Sequence, residues 1–321
     1  MSFPRSVFNT QFKRLYSFFP RRIPTKNRSK YLVTISGVTV AGAYFYIENK
    51  RRPKYPVELC PEYFTKYKIT KRIDIDRHHY LLELTPLIPQ ANNIWEQVNA
   101  RKLWSVEVKQ PELMVVRNYT PLPLKFTEDD TLKQLEAGQN NHGKLIFYMK
   151  NYDEGEVAKW IRSLPQNHQV DIRGPFVEYE IPKGVNVINF FTAGTGLVSA
   201  LQVMLNTSAP YTSTMHVFHS CKQSKELGPL FGILQDLQKN NPFFTYTMFD
   251  SSKHTDIRSQ WKTFELLVPS ATKIRGGVSL VCGPEDYITA IAGRKLVPLQ
   301  GPIGGILKQK GWTNDNAFKL S

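Results

Sequence analysis

The chain changes its rhythm once, and that change limits the folds open to it. Between Phe64 and about Glu180 it runs through six β-like stretches: FTKYKITKRIDI, HYLLELTP, LWSVEVKQ, LMVVRNYTP, KLIFYMKNY and QVDIRGPFVEYEI. Successive side chains of a strand face opposite ways, so alternating or β-branched runs of this kind each bury one face. Six of them predict a small antiparallel β-barrel over residues 62–183. Two polar stretches, 90–101 and 127–143, interrupt the barrel and read as solvated loops. From Val185 strand-like and helix-like stretches take turns: VNVINFFTAG, LVSALQVMLN, TMHVFHSC, LGPLFGILQDLQKN, FFTYTMF and VSLVCGPEDYITAIAGRKL. That alternation predicts a parallel α/β domain with crossover helices over residues 184–321, the seam falling near 182–184. With 321 residues, 41% of them hydrophobic, the chain can bury two cores.

The charge is unevenly spread. The formal net charge is +15, from 42 Lys or Arg against 27 Asp or Glu. Residues 1–47 hold eight of those bases and no acid, the first acid being Glu48. The remainder is closer to balance, which argues against nucleic acid as a partner. The segment MSFPRSVFNTQFKRLYSFFPRRIPTKNRSK, residues 1–30, has the composition of a mitochondrial presequence. It leads into the uncharged run YLVTISGVTVAGAYFYI, Tyr31 to Ile47, bracketed by Lys30 and by Lys50, Arg51 and Arg52. At about 1.5 Å per residue the run covers roughly 26 Å, enough for one transmembrane helix. Its Ser, Thr and Gly content leaves a buried helix as the other reading. Residues 48–61 then form a basic linker, and basic flanks on both sides give no orientation.

The cysteines Cys60, Cys221 and Cys282 lie far apart, in no CxxC arrangement, and suggest neither a disulfide framework nor a zinc site. His78 and His79, and His216 and His219, face opposite ways if extended and read as ordinary surface or core residues.

Chemistry gathers at four places. In VVRNYTPLPL, Arg117 and Tyr119 share one strand face, and Thr120-Pro121 either just stops the strand or presents the threonine. Gly194-Thr195-Gly196 ends an apolar strand and opens an amphipathic helix, which suits a tight turn or a phosphate cradle equally. Cys282-Gly283-Pro284 ends another buried strand, and parallel sheets bind ligands beyond such carboxyl ends. Gly155, followed by a helix-like stretch with Val157, Ala158, Trp160 and Ile161, is a connecting helix or another helix N-terminus for phosphate.

In this order and approximate spacing, RxYT at 117–120, the glycine-led helix start at 155, GTG at 194–196 and CGP at 282–284 resemble the ferredoxin–NADP reductase superfamily. Within it they look most like cytochrome b5 reductase, over about residues 62–321. The resemblance implies an FAD-binding barrel, a Rossmann-like nucleotide domain, and reduction of the flavin by NADH or NADPH. Carried over residue by residue, it implies that Arg117 pairs with the FAD pyrophosphate and Tyr119 lies against the isoalloxazine. Thr120 donates toward the flavin nitrogen that receives hydride, with Pro121 setting its turn. The backbone of Gly155, Glu156, Val157 and Ala158 caps the pyrophosphate. Gly194, Thr195 and Gly196 face the nicotinamide nucleotide. Cys282, with Gly283 and Pro284, stands beside the nicotinamide, so that Thr120 and Cys282 flank the hydride path. Phe318 or Leu320 matches the terminal residue that shields the flavin. Asn118, Ala158, Ala193 and Ser199 depart from the pattern, and Glu156 adds a negative charge near phosphate. Lys222 and Lys225 follow the HVFHS strand with no carboxylate at its end, which leaves NADH and NADPH both open.

The presequence, the single apolar segment and the tail GPIGGILKQKGWTNDNAFKL resemble, more narrowly, fungal mitochondrial inner-membrane FAD oxidoreductases that assist haem attachment to cytochrome c. That implies a single-pass protein of the mitochondrial inner membrane with its catalytic domain in the intermembrane space. Its partners would be cytochrome c haem lyase, apocytochrome c and haem. Two other readings stand beside it: an anchored reductase with a cytochrome b5-like or quinone-type acceptor, and a non-catalytic flavin-binding tether, suggested by Glu156, Ala158 and Ser199.

Overall fold

A computed structural model describes residues 57–151, 155–206, 213–297 and 299–320. The expected presequence, the apolar segment Tyr31 to Ile47 and the linker up to residue 56 lie outside the described residues. Among the described residues no helix is long and apolar enough to cross a membrane.

The first half contains β1 (Thr65–Asp74), β2 (His79–Pro86), a short helix α1 (Ile94–Gln97), β3 (Lys102–Gln110), β4 (Val115–Tyr119), the small hairpin β5 (Leu124–Phe126) and β6 (Leu132–Gln134), β7 (Leu145–Lys150), α2 (Glu156–Ser163) and β8 (Gln169–Glu180). Six of these strands form one sheet in the order β4-β3-β8-β1-β2-β7, every neighbouring pair antiparallel. They are the six runs expected from the sequence. The barrel, however, is only half closed: β4 and β7 are its two edges, joined through one isolated bridge between Leu122 and Ile146. Pro121 explains the opening, because a residue without an N–H cannot extend a ladder, and β4 ends two residues before it.

Alternation fixes which faces are buried. Tyr67 and Ile69 of β1 point inward between the partly exposed Lys66 and Lys68. Strand β2 is buried on both faces, with Tyr80, Leu82 and Leu84 in the barrel core and Leu81 in the core it shares with the second domain. The two polar interruptions are not simple solvated loops. Residues 90–101 form α1 and bury Ile94, Trp95, Val98 and Ala100, and the ring of Trp95 lies 5.1 Å from that of Trp104. Residues 127–143 contribute β6 and bury Leu135. Few, widely spaced apolar residues supply those anchors, so no periodicity announces them.

The second half contains β9 (Val187–Ala193), α3 (Leu197–Leu205), β10 (Thr214–Cys221), α4 (Pro229–Asn240), β11 (Phe244–Asp250), α5 (Trp261–Leu267), β12 (Gly277–Cys282), α6 (Glu285–Ala292), α7 (Gly305–Gln309) and β13 (Ala317–Lys319). Its five strands are parallel, in the order β11-β10-β9-β12-β13. From β9 the chain builds outward first through β10 and β11, then on the other side through β12. The topological switch point therefore lies between β9 and β12, where open α/β sheets place their ligands. One apolar cluster joins both halves, bringing Leu81, Leu103 and Leu122 of the barrel against Phe190, Leu197 and Leu201.

Candidate functional site

The open barrel edge and the switch point face one cavity of about 530 Å³. It falls within the roughly 300–1,000 Å³ of small-molecule clefts. Strand β4 and the residue after it line it with Arg117, Asn118, Tyr119 and Thr120, and β7 with Phe147 to Lys150. The start of α2 adds Gly155 to Ala158; the turn after β9 adds Thr195 and Gly196, and the first turn of α3 adds Ser199; the end of β12 adds Cys282, Gly283 and Pro284. The four stretches singled out in the sequence thus line one cavity, with β7 beside them.

Each is held by identifiable contacts. The Arg117 side chain is exposed and, among the described residues, donates only to the carbonyl of its own neighbour Val116, at 3.0 Å. The Tyr119 ring meets Phe147 edge-on at 6.5 Å, and burial raises its phenol well above the ordinary range. Helix α2 starts at Gly155, which makes no side-chain cap bond, so among the described residues its first-turn N–H groups are offered to the cavity. The Tyr80 hydroxyl fixes that turn by donating to the Ala158 carbonyl at 2.9 Å. Glu156 is exposed and stands in the same first turn.

On the other wall, Gly194 has φ +55°, a conformation that suits glycine, and opens a 3₁₀ turn running into α3. Gly196 is glycine for a different reason from the one expected. A Cβ there would lie 2.4 Å from the Cys282 carbonyl oxygen, so the missing side chain lets the turns after β9 and β12 touch. Ser199 donates to the Cys282 sulfur at 3.5 Å. Burial pushes the Cys282 thiol up to about 11, opposed by the Ser199 hydroxyl.

Three expected site residues do not line this cavity. Pro121 lies behind it with its carbonyl bound to Gln202 at 3.0 Å, and Gly194 only starts the turn. Phe318 sits on β13 with its ring 4.8 Å from that of Tyr179, while Leu320 is buried.

A second cavity, of about 460 Å³, shares Lys150 with the first; of its lining the sequence pointed to Lys222 for the nucleotide and read His78 and His79 as ordinary residues. Asp76, Arg77, His78 and His79 line it from the barrel, and Lys222, Gln223 and Glu226 from the other domain. His79 is only 2% exposed; its Nδ1 lies 2.8 Å from Asp76 Oδ2, and its ring stacks on Tyr148 at 5.8 Å. Its Nε2 has no hydrogen-bond partner among the described residues and lies 3.8 Å from Glu226 Oε2. Burial lowers the imidazole pKa against the upward pull of Asp76. Burial would raise Asp76, but donors from the His78 and His79 amides and the imidazole hold it below the usual carboxylate range. The available sequence signal was Asp76 two residues before the histidine pair His78-His79, where the chain turns between β1 and β2.

The cytochrome c mitochondrial import factor CYC2 of Saccharomyces cerevisiae is 42% identical to this chain, over 90% of each. The chain belongs to the CYC2 family. This CYC2-family chain is also 24% identical to NADH-cytochrome b5 reductase 2 of Kluyveromyces lactis, over 75% of the chain and 79% of that reductase. Among solved structures, the cytochrome b5 reductase domain of Ulva prolifera nitrate reductase aligns with a TM-score of 0.54 at 14% identity, covering 82% of this chain and 99% of that domain. The CYC2-family chain therefore has the fold of the ferredoxin–NADP reductase superfamily. No family model matches it.

Proposed function

We propose that the chain is a mitochondrial NAD(P)H-dependent FAD oxidoreductase that passes electrons to a one-electron acceptor. One observation carries this: the four stretches singled out for flavin and nucleotide converge on one cavity at an open barrel edge and a switch point. The residues present fit FAD. An exposed guanidinium, an uncapped helix N-terminus and an aromatic wall meet the needs of a pyrophosphate and a flat ring system.

FAD, when bound, supplies hydride acceptance from a nicotinamide and release of electrons one at a time. Arg117 and the first-turn N–H groups of α2 hold the pyrophosphate, and Tyr119 packs on the ring. Thr120 offers its hydroxyl at the open edge. Thr195, Gly196 and Cys282 to Pro284 would bind the nucleotide on the opposite wall, where the small, neutral Cys282 side chain leaves room for close approach. The second cavity continues the nucleotide side, where Lys150, Lys222 and Arg77 supply positive charge.

The acceptor we favour is haem, in its covalent attachment to apocytochrome c. The relationship to a cytochrome c import factor supports that choice, and the relationship to cytochrome b5 reductases supports a b-type haem protein as the runner-up. Glu156 in the first turn of α2 favours one further reading, a flavin-binding tether that does not turn over. A spectrum separates them. Yellow protein bleached by NADH or NADPH supports the reductase; colourless protein, or yellow protein indifferent to both, sinks it.

The proposal places Tyr31 to Ile47 in the inner membrane and the catalytic part in the intermembrane space. Protease added to mitochondria with a ruptured outer membrane should then digest everything beyond about Glu48. Protection of the C-terminal part would remove the haem-attachment role and leave the reductase.

A further inference from the structure

The ladder between β3 and β4 stops at the pair Val106 and Tyr119. Two residues further along each antiparallel strand, Trp104 would face Pro121. Pro121 cannot supply an N–H, so the Trp104 carbonyl would lose its strand donor inside the molecule. Gln202 of α3 takes that place. Its Oε1 accepts from the Trp104 N–H at 2.9 Å, and its Nε2 donates to the Trp104 carbonyl at 2.9 Å and to the Pro121 carbonyl at 3.0 Å. Both amide protons and one acceptor site are used, and the side chain is 1% exposed. A side chain from the nucleotide domain thus acts as a rung of the barrel sheet.

The position of that rung matters for chemistry. Pro121 directly follows Thr120, the residue at the flavin edge, and Gln202 sits on the helix that leaves the turn Gly194–Gly196. One carboxamide therefore ties the two walls of the cavity together across 98 residues of sequence. Hydride transfer needs reacting atoms about 3–3.5 Å apart, and a misplacement of about 1 Å costs on the order of a hundredfold.

We propose that Gln202 is a positioning residue: it touches neither ring, but by joining Trp104 and Pro121 to α3 it fixes the spacing across which hydride moves. This rests on the reductase reading above.

Two variants of the full-length chain test it. Gln202→Met keeps the length and removes all three bonds. Gln202→Glu keeps the acceptor, loses both donors when ionised, and regains one when protonated; it decides the matter if the first variant does not fold. Exchange of the Trp104 amide in flavin-free protein reads the contact itself. Single-turnover reduction of flavin-loaded protein, with nucleotide affinity measured separately, reads the spacing. Trp104 exchange should speed up at least tenfold. Flavin should stay bound and its reduction slow at least tenfold, with nucleotide affinity within threefold. Gln202→Glu should recover part of its rate on acidification, where the parent does not. Unchanged Trp104 exchange would overturn the contact, and faster exchange with reduction within twofold of the parent would overturn the positioning. Faster exchange in a chain that binds no flavin would leave the contact standing but remove the reductase reading and, with it, this proposal.

Discussion

A methyl group on Gly196 would sit 2.4 Å from the carbonyl oxygen of Cys282. Backbone, not a movable side chain, blocks that space, so the turns after β9 and β12 are locked at the distance glycine permits. Gly196→Ala should destabilise the protein by about 1–3 kcal/mol through overpacking. Gly232 in α4 has nothing within 4 Å of its would-be Cβ. Gly232→Ala should stabilise by up to about 1 kcal/mol. Urea midpoints of the two variants should move in opposite directions.

Arg117→Ala should release FAD. Among the described residues its guanidinium binds only its own Val116 carbonyl, so the apoprotein should change in stability by no more than about 0.5 kcal/mol. Flavin per chain after gel filtration is the measurement, and full retention would remove Arg117 from the pyrophosphate. Glu156→Gln should act the other way. Removing a like charge from the first turn of α2 should tighten flavin binding about two- to fivefold, at a small cost to the helix itself.

Cys282 should stay a thiol throughout the working range, because burial pushes it up to about 11. Flavin reduction should therefore show no ionisation between about pH 7 and 9. Alkylation should reach the less buried Cys60 long before it reaches Cys282. Cys282→Trp should keep its flavin yet slow its reduction, since the larger ring would fill the nucleotide side of the cavity. An unchanged rate would move the nucleotide elsewhere.

Acid should weaken the fold before any carboxylate is protonated. His219 is fully buried against Thr192, and burial pushes its imidazole down to about 3. The unfolded chain takes up a proton near pH 6.5 that the folded chain refuses, so stability falls as pH drops below that value. Between pH 7 and 5 the loss from this group should be about 2 kcal/mol. His79 and His216 shift in the same direction and add to it. Asp76 is held low, so its contribution fades only below about pH 4, outside this window. His219→Phe should flatten the slope in urea titrations at the two pH values; an unchanged slope would refute the assignment.

The sequence by itself determined the six barrel strands, the later alternation of strand and helix, and the identity of the residues at Arg117 to Thr120, Gly155 to Ala158, Thr195 to Gly196 and Cys282 to Pro284. These are local signals: alternation, apolar runs and glycine-led helix starts depend on neighbours a few residues apart. Only the tertiary structure decided that the barrel stays open between β4 and β7, that Phe318 packs on Tyr179 away from the cavity, and that His79 stands buried beside Glu226. In the sequence Gln202 is one polar residue in an amphipathic helix. It becomes a sheet rung because Pro121 cannot donate to the Trp104 carbonyl and packing brings α3 against that gap. A buried backbone polar group must find its partner somewhere, and which distant side chain supplies it depends on how the halves meet, which no local pattern records.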